Sequence, residues 1–432
     1  MKLRFFSMLV LLSAVVTGVV AQSTYKVTLK SGTADAANWT IEPSAATTTG
    51  VVAGTQITAT YSGTKKVKSV RAIRRKVTGI TLNKTKTIIK VGSTEPLSVV
   101  TVVPDNATNK TYTWKTSDAT KATVSTEGVV TAVAAGAVTI YAEANDGSGV
   151  KGNCSVAVAA PGTPAAVIDD YTAGAFEWDN ASARVYHAPK RTSLLDPSTM
   201  QVGFNAGDEI SILSTNNDNA RFTTTEGGAA ASFNGTAVDD SKYYAIYPYT
   251  EGLALNGTTI TGVTIPTNQW NDKWDDIVDW DYDTDWFLYL HVWDPKAPLA
   301  YAVTEDETLQ FHNLCAILKI FIAGGTSLLH ISANEPLAGT FSLDASTGTL
   351  NATAGSTSVE VNHYIHTDYV YFAIAPGTYT NFNVYVADLM YLIDDNGWID
   401  SKTKSTSVTF EAGKIYDLGT FVGEEDYDLP LY

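Results

Sequence analysis

The chain has 432 residues, of which 44% are hydrophobic and only 17% charged, and its formal net charge is −16 at pH 7. That length accommodates two to four domains, and that hydrophobic content fills packed cores, so a disordered chain is excluded. The acidic balance repels phosphate backbones, which argues against a nucleic-acid partner.

Taken in order, Met1 to Ala21 reads as a secretory signal. Lys2 and Arg4 precede an apolar run from Phe5 to Val20, and Val19-Val20-Ala21 supplies small residues for cleavage. The run is short for a membrane span; a retained anchor is the alternative. No Cys follows it for lipid attachment and no second apolar span exists, so the mature chain is expected to leave the inner membrane. Residues 22–76 form a small β-module in which Tyr25–Leu29 and Thr55–Tyr61 alternate in polarity. Its basic end, Lys65, Lys66, Lys68, Arg71, Arg74, Arg75 and Lys76, lacks interleaved aromatics and a helical face. A solvated strand and linker is therefore favoured over a polyanion patch or a protease site.

Residues 77–158 predict a second all-β unit with turns at intervals typical of a sandwich, and short alternating runs at Ile80–Leu82, Leu97–Val103, Tyr112–Trp114, Val129–Val133, Val138–Ala142 and Cys154–Val158. Gly147-Ser-Gly149-Val-Lys-Gly152 has the spacing of a dinucleotide loop, but a strand follows where a helix is required. Asp146-Gly147 is better read as a hairpin turn. Cys154 and Cys315 each sit in an apolar run and read as buried thiols rather than a disulfide. Thr113-Trp114-Lys-Thr-Ser117-Asp118, Ala122-Thr-Val124, Gly128–Val133, Gly136 and Thr139–Ala142 resemble the bacterial Ig-like group 2 (BIG2) family. That resemblance implies a spacer or adhesive module without catalytic residues. Trp114 is expected to plug the core, and Gly128 and Gly136 to allow turns.

Residues 159–166, Ala-Ala-Pro-Gly-Thr-Pro-Ala-Ala, read as a linker. From 167 to 432 many short strands are expected. The most apolar stretch after the N-terminus, Phe311–Ile322, is expected to be the central strand of a sandwich. Val370–Pro376 and Phe382–Val386 are expected to pair across Gly377 to Thr380. Gly207-Asp-Glu-Ile, Tyr243–Tyr249, Phe311–Ile322, Pro336–Leu343, Phe372–Gly377 and Gly413–Tyr416 resemble the fimbrillin-like family, related to type V pilins. The two resemblances together imply an all-β chain: an Ig-like β-sandwich, then a two-lobed, transthyretin-like fimbrillin β-sandwich with lobes of about 167–305 and 306–432. In pilins of that family a strand is exchanged between subunits, often after proteolysis at an Arg; Arg184 and Arg191 are the matching positions. The chain departs from the pattern in its missing lipobox Cys and its two leading β-modules, which favours a tip, accessory or non-polymerising role.

Five of the nine tryptophans lie between Trp270 and Trp293, interleaved with Asp272, Asp275, Asp276, Asp279, Asp281, Asp283 and Asp285. Ring faces beside carboxylates suit a sugar or protein surface, with Trp270, Trp274, Trp280, Trp286, Asp279 and Asp281 as contact candidates. A calcium loop is suggested by the alternating acids, but Gly at the sixth position and Glu at the twelfth are missing. The plain alternative is a long excursion with tryptophans packed down and acids in water. His363 and His366 would point to opposite faces of a strand. No catalytic elbow, zinc-binding helix or phosphate loop is found, so neither an enzyme nor a cofactor is expected. The sequence therefore points to a secreted, non-catalytic structural or adhesive protein, and the fimbrillin-like resemblance implies the cell surface or fimbrium of a Gram-negative bacterium. Its expected partners are other surface or pilus subunits and host or microbial ligands, protein or glycan, with outer-membrane association; a secreted glycan-binding module is the alternative.

Overall fold

A computed structural model describes residues 24, 25, 37, 39–42, 51, 52, 58–62, 75–178, 202–215, 219–237, 239–269, 297–323, 328–361, 368–387 and 398–422. The signal region, Arg184, Arg191, His363, His366, the 270–296 stretch and the tail from residue 423 lie outside them. The described chain is all-β, with no α-helix among the described residues, and none is long and apolar enough to cross a membrane. It forms two compact units. The first comprises residues 1–85, 94–131 and 139–154; the second comprises 86–93, 132–138 and 155–432. Segments 86–93 and 132–138, which lie within the expected Ig-like span of 77–158, belong to the second unit.

The strands up to residue 159 are β1 (Thr24–Tyr25), β2 (Trp39–Glu42), β3 (Val51–Val52), β4 (Thr58–Tyr61), β5 (Gly79–Leu82), β6 (Lys86–Lys90), β7 (Thr94–Pro96), β8 (Val99–Val103), β9 (Tyr112–Thr116), β10 (Ala122–Val124), β11 (Val129–Ala132), β12 (Gly136–Ala144) and β13 (Lys151–Ala159). In the first unit β5 pairs with β8, β7 with β11, and β9 with β12, all antiparallel. Strict alternation in β12 buries Ile140 and Ala142. Trp114 is not the core plug expected of it: it is half-buried on β9, whose neighbours Tyr112 and Thr113 are exposed. Its ring instead covers Gly128. A Cβ there would stand 2.4 Å from the Leu97 carbonyl and 2.8 Å from the indole, and the backbone adopts φ +90°.

The remaining strands are β14 (Ala165–Ile168), β15 (Thr172–Gly174), β16 (Glu209–Ser214), β17 (Asn219–Thr223), β18 (Ala230–Ser232), β19 (Asn234–Gly235), β20 (Tyr243–Tyr247), β21 (Ala254–Asn256), β22 (Thr259–Ile265), β23 (Ala300–Thr304), β24 (Thr308–Asn313), β25 (Ala316–Ala323), β26 (Leu328–Ser332), β27 (Ala338–Asp344), β28 (Thr349–Ser356), β29 (Ser358–Val361), β30 (Asp368–Ile374), β31 (Gly377–Tyr379), β32 (Phe382–Ala387), β33 (Trp398–Lys404), β34 (Val408–Phe410) and β35 (Lys414–Val422).

One sheet of the second unit has the order β18-β14-β24-β23-β20-β16-β17-β19. Its two outer strands are one stretch of chain. Residues 230–232 pair with β14, and 234–235 pair with β17, so the sheet closes on itself. Period-two alternation supplies the interior: Ile210 and Ile212, Ala220 and Phe222, Ala231 and Phe233, Ala245 and Tyr247, Ala300 and Ala302, Leu309 and Phe311.

A second group holds sheets β15-β35-β25-β30, β21-β22-β27-β28 and β29-β26-β32-β33 around a larger core. Phe311–Ile322 is therefore not one central strand. It is β24 of the first sheet and β25 of the second group, with the fully buried Leu314 and Cys315 between them. Leu314 donates its N–H to the Leu299 carbonyl, and the Cys315 carbonyl accepts from Gly413. β25 is buried through most of its length, whereas β24 alternates with Gln310 and His312 exposed, so the polar pair His312-Asn313 falls just before the crossing. The groups do not meet near residue 305 in sequence: the first retains β24, and the second takes β15, β21 and β22 from earlier in the chain. The expected linker likewise ends in structure, because Ala165 and Ala166 begin the buried strand β14. Nor do 370–376 and 382–386 pair: β30 joins β25, and β32 joins β26 and β33.

One side chain stands in for a strand. Gln269 is fully buried; its Nε2 donates to the Ala373 carbonyl at 2.7 Å, and its Oε1 accepts from the Ala373 N–H at 2.8 Å. Its own backbone N–H bonds Glu360 of β29. One residue thus serves the edges of two sheets. Replacing Gln269 with Leu leaves both Ala373 groups buried and unpaired, and denaturant unfolding should record a loss of about 2–4 kcal/mol. The Tyr171 hydroxyl is the reverse case, buried without a partner. Tyr171→Phe should raise stability by about 1 kcal/mol in the same assay.

Candidate interaction site

The stretch from Ala165 to Trp178 precedes Arg184 and Arg191 and contributes to both groups of sheets. In β14 all four residues are buried. Ala166 and Ile168 face the closed sheet's interior, while Ala165 and Val167 pack with Ala157, Ala159 and Ala230 on its other side. β14 has partners on both flanks, antiparallel β18 and parallel β24.

Two carboxylates follow. Asp169 accepts from Gln310 Nε2 at 2.7 Å and pairs with His312 Nδ1 at 2.8 Å. Asp170 accepts from Lys86 Nζ at 2.5 Å and from the Val202 N–H at 3.1 Å. The Lys86 side chain is only 12% exposed and also donates to the Ile168 carbonyl. β15 then lies parallel to β35, its Gly174 opposite Tyr416. A Cβ on Gly174 would come within 2.3 Å of the Tyr416 ring, so the ring requires glycine here. Phe176 and Trp178 end the segment in an aromatic cluster with Phe382, Phe410 and Phe421, and Trp178 Nε1 donates to the Leu418 carbonyl at 2.8 Å.

β35 sits between β15 and β25, parallel to both. Ile415, Tyr416, Leu418 and Phe421 are buried. Among the described strands, β15 alone separates β35 from an open edge. This segment, which sequence reading treated as a linker and its sequel, could have been found by its continuous apolar run Ala165–Ile168. Of the residues singled out, Trp270, Trp274, Trp280, Trp286, Asp279, Asp281, Arg184 and Arg191 lie outside the described residues. The 270–296 stretch is bounded by buried Gln269 and buried Ala297.

The two thiols are buried and form no disulfide, and burial pushes both up to about 12, which makes them poor nucleophiles. Among the described residues no group of three or more His, Cys, Asp or Glu is placed to hold a metal ion. Asp306 is the most perturbed carboxyl. Burial raises it, but hydrogen bonds from Thr308, Lys90 and Thr304 outweigh that and hold it down at about 2.

Residues 76–153 match the sequence profile of the bacterial Ig-like domain (group 2). The class is thus an all-β chain carrying a BIG2 domain. Two uncharacterized proteins of Clostridium acetobutylicum are 43% and 38% identical over 81 residues, 19% of this chain and 8% and 20% of theirs. The chain thus spans a small part of the curated relatives it matches. Among solved structures, a candidate cell adhesion protein from Bacteroides uniformis aligns with a TM-score of 0.32 and 20% identity over 50% of this chain and 87% of that one. A fimbrial protein from Bacteroides vulgatus aligns with a TM-score of 0.24 and 11% identity over 60% of this chain and 95% of that one. Scores at this level transfer no role to this chain.

The Asp306 carboxyl lies below its unfolded value of about 3.9, so its contribution is present above that pH and is lost as pH falls toward about 2. Asp306→Asn should lower stability at neutral pH and flatten the acid decline between about pH 4 and 2, read from urea midpoints across that range.

Proposed function

We propose that this chain is a non-catalytic surface protein, fimbrial or adhesive, that works by β-strand pairing and surface contact. The observation that carries the proposal is the position of residues 165–178. They are strand partners in both sheet groups, yet they precede Arg184 and Arg191 in the chain. A cut at either arginine would leave them held by hydrogen bonds and packing alone. Their departure would open the slot between β18 and β24 and bare one edge of β35. A strand from a neighbouring subunit would fill that vacancy by main-chain pairing, without needing matched side-chain charges. The BIG2 domain would leave with the released segment, which suits a tip or accessory subunit better than a shaft repeat. The partners in this reading are other surface or pilus subunits at the surface of a Gram-negative cell, with outer-membrane association.

Treating the secreted protein with an arginine-specific protease should cut it between residues 178 and 202 and give SDS-resistant ladders. The Arg184→Ala, Arg191→Ala double variant should give none. Nicked protein that keeps its N-terminal fragment and stays monomeric would remove strand exchange from this reading.

A second reading, glycan binding, is supported by the density of Trp270, Trp274, Trp280 and Trp286 with Asp279 and Asp281, and by the buried residues that bound their stretch. A glycan array compares wild type with a Trp274→Ala, Trp280→Ala, Trp286→Ala variant. Signal lost only in the variant supports this reading, and no signal from wild type rejects it.

A further inference from the structure

We propose that β28 is a self-pairing edge, at which two copies of this chain join antiparallel through Thr349–Ala352. The argument starts from how the second unit treats its other edges. An unpaired strand edge invites foreign strands, and folded proteins defend it by closure, by cover, by charge or by shortness. The closed sheet has no edge, because residues 230–235 bridge its two ends. The outer side of β29 is taken by Thr267 and Gln269, and that of β30 by the Gln269 amide at Ala373. β33 carries Asp400, Lys402 and Lys404. β15 and β21 have three residues each.

β28 has none of these defences. It is eight residues long and terminal in its sheet, paired on one side with β27. No described strand pairs with its outer side. Asn351, Ala352, Thr353, Ala354 and Gly355 are all exposed. It contains no charge and no proline: Thr-Leu-Asn-Ala-Thr-Ala-Gly-Ser. One irregularity limits it. A bulge makes Thr353 the extra residue between the Ala352 and Ala354 pairs, and its hydroxyl bonds the Thr340 carbonyl. The regular, open run is therefore Thr349–Ala352.

Charge selects the occupant. The chain carries −16, so two copies repel over most of their surfaces. Between Asp344 and Glu360 there are fifteen consecutive residues without a charge, and β28 lies within them. A twofold axis through this edge sets uncharged residues against uncharged residues, and small side chains let the backbones close to pairing distance. Antiparallel pairing of a strand with its own copy is the arrangement a twofold axis generates. Pairing over four residues a side buries little, so the dimer is weak, with Kd of about 10–100 μM.

The test uses the full secreted chain with Arg184→Ala and Arg191→Ala, without protease, so that strand exchange does not contribute. Sedimentation equilibrium at concentrations up to about 200 μM should show a monomer–dimer equilibrium. Asn351→Lys and Asn351→Glu, each alone, place like charges across the axis and should weaken the dimer at least about tenfold, with unchanged circular dichroism and Tm. An equimolar mixture of the two variants should restore association. A parent that remains monomeric throughout the range, variants that dimerise as the parent does, or a mixture that stays monomeric would each overturn the proposal.

Discussion

The constraint behind this fold is that strands satisfy their backbone sideways. A helix pairs its own N–H and C=O groups, whereas each strand needs a neighbour on both flanks or water on one. The described residues hold no α-helix. Every sheet must therefore close, be covered or leave an edge in solvent. The second unit uses all three solutions. The 230–235 stretch closes one sheet, Gln269 covers two edges with one residue, and β28 is left open. Burial of apolar side chains supplies the driving force, but edge satisfaction decides which strands lie beside which.

The same constraint explains why residues 165–178 matter more than their length suggests. β14 is a central strand with neighbours on both flanks, so its four residues pair with two strands at once. β15 protects β35, and Phe176 and Trp178 fasten the end of the segment through rings. The hold is uneven. Tyr171 places a hydroxyl in the core without a partner, whereas Asp169 and Asp170 beside it are well bonded. A segment of this kind is stable while covalently attached, because its local concentration is high. Once cut, it depends on those contacts alone.

Strand content was legible from alternation: β12, β30 and β32 lie where period-two runs or short apolar runs placed them. Connectivity was not legible. Phe311–Ile322 reads as one strand because His312-Asn313 is too short a polar interruption to mark a strand end, and buried Leu314 and Cys315 carry the apolar run on. The 370–376 and 382–386 runs read as a hairpin because sequence shows proximity along the chain, whereas β25 and β26 lie elsewhere in it. Gln269 had no signal at all, since an amide mimicking a peptide group is visible only once its neighbours are placed. The linker reading of 159–166 followed Pro and Gly and passed over the two alanines that begin β14.

Charge is kept out of the interior. The buried polar residues among those described are Asn109, Ser211, Ser214, Thr224, Ser232, Gln269, Thr304, Asn313 and Asn383, all of them neutral. Among the described residues ionised groups pair at the surface, as in Lys90–Asp306, Lys319–Asp417 and Lys414–Glu411. Exposed pairs of this sort add little stability and are screened by salt. Contacts made through backbone edges depend much less on ionic strength. In both proposals the acidic chain would repel its copies over most of its area and pair where the main chain is open and that repulsion is absent.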